Sequence, residues 1–225
     1  MDFDLAAHLN AMSRLVRNVE RDGKPARAVV AWRVYDTDAA DLWDALTSKE
    51  RLPRWFAPVS GDFRLGGRYQ VEGNAGGTIL ECIENEKVVL TWEFMGGISW
   101  VTLTLTPADR GTRLELEHVA FEDAHWGRFG PGAVGVGWDL SFMGLARHLA
   151  MPGEMHPAEA AEGWFASAEA KAMIRTTSSA WGEADIAAGT ARAEALARAE
   201  RTRRFFSGEM PPSEAFPAGD QPAAP

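Results

Sequence analysis

Between Trp43 and Pro58 the chain reads WDALTSKERLPRWFAP: a short amphipathic helix, a polar break, then a second short helix with an aromatic end. Its surroundings are strand-like. Val29 to Tyr35 precedes it, with Val30, Trp32 and Val34 alternating against Ala31, Arg33 and Tyr35. After it come Arg68 to Glu72, Thr78 to Ile83, Val88 to Phe94, Trp100 to Thr106 and Thr112 to His118, joined by short turns. Alternation of period two is the pattern of a sheet with one buried and one wet face. Two small helices interrupting an antiparallel sheet after its first strand admit few folds.

Further along, a Gly-rich stretch from Gly127 to Gly137 reads as a loop opening a helix that runs to about Leu149. Trp138, Phe142, Leu145 and Leu149 fall on one stripe of that helix. Upstream, Leu5, Leu9, Met12, Val16 and Val19 recur at spacings of four and three, predicting an amphipathic helix over Asp4 to Val19 that ends at Gly23 and Pro25. Pro152 and Pro157 break the chain, residues 158–206 read as two or three Ala-rich helices with a break near Gly189, and the Pro- and Ala-rich tail reads as disordered. The expected divisions are an N-terminal helix and linker over 1–26, a main domain over 27–150, a helical extension over 151–207 and a tail over 208–225.

Composition narrows the function. A formal net charge of −9 with scattered Lys and Arg argues against nucleic acid. No apolar stretch approaches the ~18 residues of a membrane span, and no signal region opens the chain, so a cytoplasmic location is expected without membrane contact. The lone Cys82 excludes an intramolecular disulfide. Nine tryptophans against two tyrosines point to a bulky core or an aromatic-lined cavity. Phosphate-loop, dinucleotide and Ser–His–Asp signatures are missing from the sequence, so no cofactor and no metal are expected, and catalysis has no clear carrier.

The ordered pieces WDALTSKERLPRWFAP, GGRY at Gly66 to Tyr69, GTILECIENEKVVLTWEF at Gly77 to Phe94, VTLTLTP, GTRLELEH and GWDLSFMGLARHL together resemble the START-like or SRPBCC superfamily. Within it the chain is similar to the AHSA1-type branch, related to the heat-shock chaperone ATPase activator, over roughly residues 28–150. The resemblance implies an α+β helix-grip fold: a curved antiparallel sheet around a long C-terminal helix, with a cavity between them. It implies a small apolar molecule as the partner. The superfamily also contains polyketide cyclases and aromatases, and a chaperone-interacting role is a third reading.

Inward positions of the strands supply the expected ligand-binding residues Trp32, Tyr69, Trp92, Phe94, Leu103, Leu116 and His118, closed by Trp138 and Phe142 on the helix; Leu90, Val101, Leu114 and Leu145 are further candidates. His118 shares a face with Leu114 and Leu116, either toward a cavity or satisfied by a backbone carbonyl. Glu81 has no determined face, and with His118 and Tyr69 it exhausts the candidate acids and bases. Cys82 reads as a small packed hydrophobe. His118, Glu122, Asp123 and His125 lie close in sequence but lack metal-ligand spacing, and the cluster reads as a solvated loop. Gly144, unfavourable in a helix by roughly 1 kcal/mol relative to Ala, either leaves room for a ligand or is neutral. The apolar terminal helices are expected to pack on one another or across the two-fold axis of a homodimer.

Overall fold

Asp22 and Gly23 decide how the N-terminus folds. Both have positive φ, 51° and 72°, the pair of left-handed residues that a type I′ two-residue hairpin requires. They join β1 (Ser13–Arg21) to β2 (Lys24–Tyr35), with Arg21 opposite Lys24. The helix expected over Asp4 to Val19 is therefore confined to α1 (Leu5–Ala11), capped by Asp4, whose carboxylate accepts from the Ala7 N–H at 2.9 Å. An apolar spacing of four, then three, suits a helix or a helix followed by a strand, and the Asp-Gly turn selects the latter. The expected boundary at residue 27 thus falls inside β2, and residues 13–26 belong to the sheet rather than to a linker.

The computed structural model describes residues 3–153, 163–211 and 214. Among these, one antiparallel sheet of eight strands has the order β1-β2-β8-β7-β6-β5-β4-β3. The remaining strands are β3 (Val59–Gly61), β4 (Arg68–Val71), β5 (Gly76–Ile83), β6 (Lys87–Phe94), β7 (Gly97–Pro107) and β8 (Thr112–Phe121). Between β2 and β3 the two expected helices are α2 (Ala39–Thr47) and a single 3₁₀ turn at Leu52–Arg54. Asp38 caps α2 by accepting from the Asp41 N–H at 2.8 Å, and the Trp55 indole donates to the Ala45 carbonyl at 2.9 Å, tying turn to helix.

Directly opposed residues of neighbouring strands share a face. Ala31 opposes Leu116, which opposes Leu103; Val29 opposes His118, which opposes Val101. These side chains form the concave face. Trp32 opposes Glu115, so it stands on the convex face, with the Arg113 guanidinium 5.1 Å from its ring centroid. A one-residue error in reading the parity of β2 puts every side chain on the wrong side.

On the concave face lies α4 (Gly132–Ala150), held in part by the Tyr35 hydroxyl, which donates to the Phe142 carbonyl at 3.1 Å. The stretch expected as a Gly-rich loop is mostly helical: α3 (Ala124–Phe129), a break at Gly130 and Pro131, then the first turns of α4. Two of its glycines, Gly132 and Gly135, serve close packing, the first against Thr202. A Cβ on Gly135 would lie 2.4 Å from the Trp181 ring. At Gly144 a Cβ would lie 2.2 Å from the Trp55 carbonyl oxygen, so this glycine lets α4 approach the helix-pair segment and neither of its expected readings holds. Gly144→Ala is accordingly expected to destabilise the protein by about 1–3 kcal/mol through overpacking, despite the better helix propensity of Ala. Urea unfolding of the variant measures this; a stabilised variant would mean the backbone contact is not there.

Beyond α4, the extension forms a 3₁₀ turn at Trp164–Ala166, α5 (Ala168–Ala187) and α6 (Arg192–Phe206), separated at Gly189 as expected. Phe3, Leu5 and Leu9 pack against Leu140, Met143, Trp164, Ala170 and Met173, so α1 docks on the C-terminal helices of its own chain, the first of the two expected arrangements. α5 also covers the concave side of β1. There the Asp139 carboxylate of α4, fully buried, receives the Arg14 Nε of β1 at 3.1 and 3.2 Å and the Trp181 indole N–H of α5 at 2.8 Å. The chain break expected at Pro157, the helix start expected at Ala158 and most of the expected disordered tail lie outside the described residues.

Candidate functional site

Sheet, α2, the 3₁₀ turn and α4 enclose a pocket of about 310 Å³. The strands contribute Tyr69, Ile79, Val88, Leu90, Trp92, Val101, Leu103, Leu114 and Leu116; α4 contributes Trp138, Ser141, Phe142 and Leu145. A third wall comes from Trp43, Leu46, Leu52, Trp55 and Phe56, the same segment whose pattern marks the fold. Sequence reasoning used that segment as a fold marker and left it out of the expected lining. Its apolar spacing on α2, with Trp43 and Leu46 on one side, is the signal that could have included it.

Of the nine residues expected to bind ligand, Tyr69, Trp92, Leu103, Leu116, Trp138 and Phe142 line this pocket. Trp32 faces away from it. Phe94 has the inward parity of β6 but lies at the strand's end, 47% exposed, past the lining. His118 is buried on the concave face behind Trp138 and does not reach the pocket surface.

Among the described residues, the lining carries no Asp, Glu, Lys, Arg or His side chain. Its few polar groups are largely engaged. The Tyr69 hydroxyl donates to the Thr91 carbonyl at 2.6 Å, and burial pushes its pKa above the usual phenol range. Ser141 Oγ donates to the Gly137 carbonyl at 3.0 Å and Thr47 Oγ1 to the Trp43 carbonyl at 2.8 Å. Cys82, a free thiol, joins the lining while remaining exposed rather than packed.

A bulge between Ile79 and Glu81 settles the face of Glu81. With one extra residue in β5, Ile79 and Cys82 both oppose inward residues, Leu90 and Val88, while Glu81 opposes Val89 and points outward. There it binds Lys87 at 2.9 Å. An irregularity of this kind carries no signal in a period-two reading.

His118 has partners at both ring nitrogens. Nδ1 accepts from the Trp138 indole N–H at 3.0 Å, and Nε2 lies 2.8 Å from Ser99 Oγ. Ser99 Oγ in turn donates to the Trp92 carbonyl at 3.1 Å, which leaves Nε2–H as the donor and the imidazole neutral. Burial pushes the His118 pKa down to about 4. The partners are side chains, not the backbone carbonyl of the sequence reading. Glu122, Asp123 and His125 separate: Glu122 binds Arg27 at 2.6 Å, Asp123 caps α3 by accepting from the Trp126 N–H at 2.7 Å, and His125 meets the Phe129 ring at a tilt of 52° with centroids 4.9 Å apart.

A family model described as "Activator of Hsp90 ATPase homolog 1-like protein" matches residues 36–150. The solution NMR structure of CalU16 from Micromonospora echinospora is 31% identical, with a TM-score of 0.62 over 80% of this chain and 97% of that one. Its crystal structure gives 27%, 0.60, 79% and 98%. This share exceeds residues 36–150, so the likeness takes in part of the terminal extensions. MLL2253 from Mesorhizobium loti is 25% identical, with a TM-score of 0.50 over 57% of this chain and 99% of that one. DynU16, described as a protein in the dynemicin biosynthetic locus, is 20% identical with a TM-score of 0.50 over 57% of this chain and 48% of its own, a likeness of fold alone. Among curated proteins none matches.

Proposed function

This chain belongs to the AHSA1 family of Activator of Hsp90 ATPase homolog 1-like proteins, and on that premise we propose that it binds a small, largely apolar molecule in the pocket between its sheet and α4. The observation that carries the reading is the lining: aromatic and aliphatic side chains on three walls around about 310 Å³, with no ionised group among them. That volume stands at the lower end of small-molecule pockets, ~300–1,000 Å³. An ionised ligand group buried there would lose its water with no opposite charge to meet it, so the ligand is uncharged in the part that enters. Tyr69, Trp92, Leu103, Leu116, Trp138 and Phe142 are the contacts proposed from the expected set.

A cyclase or aromatase chemistry would need an acid or base facing the ligand. His118 stands behind Trp138, Glu81 points outward, and the Tyr69 hydroxyl is committed to Thr91. This weighs toward binding rather than catalysis. Among the described residues no helix is long and apolar enough to cross a membrane.

Titration of the protein with a neutral, environment-sensitive apolar dye is expected to quench Trp fluorescence and saturate. Trp92→Ala, which removes an aromatic wall, is expected to weaken binding about tenfold, the loss of one ring contact of roughly 1–1.5 kcal/mol. No binding across a broad panel of neutral apolar ligands would reject the reading.

A further inference from the structure

One wall of the pocket is built by Trp138 and Trp92, and the Trp138 ring has one polar anchor, His118. Trp138 leaves α4 to cross the concave face. Its ring meets the Trp92 ring edge-on with centroids 5.1 Å apart and lies nearly parallel to Phe56 at 6.4 Å. Ring contacts of this kind are made in more than one arrangement and over centroid distances of roughly 4.5–7 Å, so they fix the ring less narrowly than a hydrogen bond does. The bond from the Trp138 N–H to His118 Nδ1 is directional. His118 itself is pinned by Ser99, which sits opposite Trp92 and bonds its carbonyl. The concave face continues past this wall. Phe94 is the next inward position of β6 after Trp92 and is 47% exposed. Trp138 and Trp92 thus stand between the lined pocket and the exposed apolar strip beyond it.

We propose that His118 is a specificity-determining residue that acts through Trp138: by holding the indole across the end of the pocket, it sets the longest ligand the pocket accepts. The inference rests on the ligand-binding reading above. His118 touches no ligand in this scheme. It is a positioning residue, and its buried, doubly bonded imidazole serves to give Trp138 one orientation. Without the acceptor, the indole N–H has no partner on that side and the ring is free to turn along the Phe56 face. The pocket then opens toward Phe94, and a longer apolar chain finds surface to bury.

The test uses the full-length protein and a series of neutral n-alkyl alcohols of increasing length, read by displacement of a bound apolar dye. Wild type is expected to gain affinity with each carbon up to a cutoff and to lose it beyond. His118→Leu, which keeps the bulk and removes the acceptor, is expected to move the cutoff to longer chains. The alcohol just past the wild-type cutoff would bind about tenfold tighter, as burying roughly two more methylenes does. Trp138→Phe is expected to do the same, the double variant to add nothing to either, and His118→Gln, which restores an acceptor, to return the wild-type cutoff. A cutoff unmoved in His118→Leu, or additive effects in the double variant, would overturn the proposal. An independent measure is the solvent exchange of the Trp138 indole proton by NMR, identified through its loss in Trp138→Phe. It is expected to be slow in wild type and in His118→Gln, and fast in His118→Leu. Wild type that binds no alcohol and no dye would reject the ligand reading, whereas equally slow exchange in His118→Leu would overturn the role of His118 whether or not ligands bind.

Discussion

Asp139→Ala is expected to destabilise the protein by about 3–5 kcal/mol, the largest effect of any single substitution considered for this chain. The carboxylate has no exposed surface and answers two donors: the Arg14 guanidinium on β1 and the Trp181 indole on α5. Burial pushes the Asp139 pKa up, and Arg14 and Trp181 pull against that rise. Removing the acid leaves a guanidinium only 8% exposed with no counter-charge and an indole N–H with no acceptor. Exposed pairs make the contrast. Arg203 binds Glu200 and Glu209 at 2.8 and 2.7 Å on the open face of α6, and Glu209→Gln is expected to leave stability nearly unchanged because water screens the pair. Urea denaturation with an unchanged slope reads both. Replacing the buried pair together, Arg14→Met with Asp139→Leu, is expected to recover most of the loss, since neither charge then remains to be desolvated. A loss below about 1 kcal/mol in Asp139→Ala would mean that water reaches the pair. Deleting residues 1–22 takes away β1 and Arg14 together, so the truncated chain is expected to be far less stable than removal of a surface helix would make it.

Stability is also expected to fall between about pH 6.5 and pH 4 by on the order of 3 kcal/mol from His118 alone. In the folded protein the imidazole is held neutral, its pKa pushed from 6.5 down to about 4 by burial. The unfolded chain takes up the proton near 6.5. The contribution is therefore complete above that pH and is lost as pH falls through the folded value, because the unfolded state binds more protons over that window. His8 acts with the same sign. Burial first, then the Arg33 and Arg14 charges, push it down to about 3. His118→Gln, which keeps a hydrogen-bond acceptor and cannot titrate, is expected to flatten the slope of unfolding free energy against pH in this window. An unchanged slope would show that the imidazole is not held neutral in the folded state.

Much of the fold is legible in local pattern. Strands β4 to β8 lie where alternation puts them, because one face of each is buried and the other is wet. α2 runs into the segment between Trp43 and Pro58, the 3₁₀ turn lies within it, and α5 and α6 part at Gly189. The errors have local causes too. The apolar spacing from Leu5 to Val19 fits a helix as well as a helix followed by a strand, and the Asp22–Gly23 turn outweighs it. Gly127 to Gly137 looks like loop because glycine disfavours helix, yet Gly135 lies within α4, where the Trp181 ring leaves no space for a Cβ and so requires glycine.

Of the candidate site, the sequence by itself determined the apolar character of the concave face and six of the nine expected lining residues: alternation along the strands assigns Tyr69, Trp92, Leu103 and Leu116, and the helical stripe assigns Trp138 and Phe142. The side of β2 that Trp32 occupies, the outward turn of Glu81 and the shielding of His118 by Trp138 were decided only by tertiary structure. Each depends on register, a bulge or a partner far along the chain: Trp32 on the residue across the sheet, Glu81 on the extra residue in β5, His118 on a helix 20 residues away. The Arg14–Asp139 pair, 125 residues apart, is the extreme case. No local periodicity records which two charges will be left in the same dry space when α5 closes over β1.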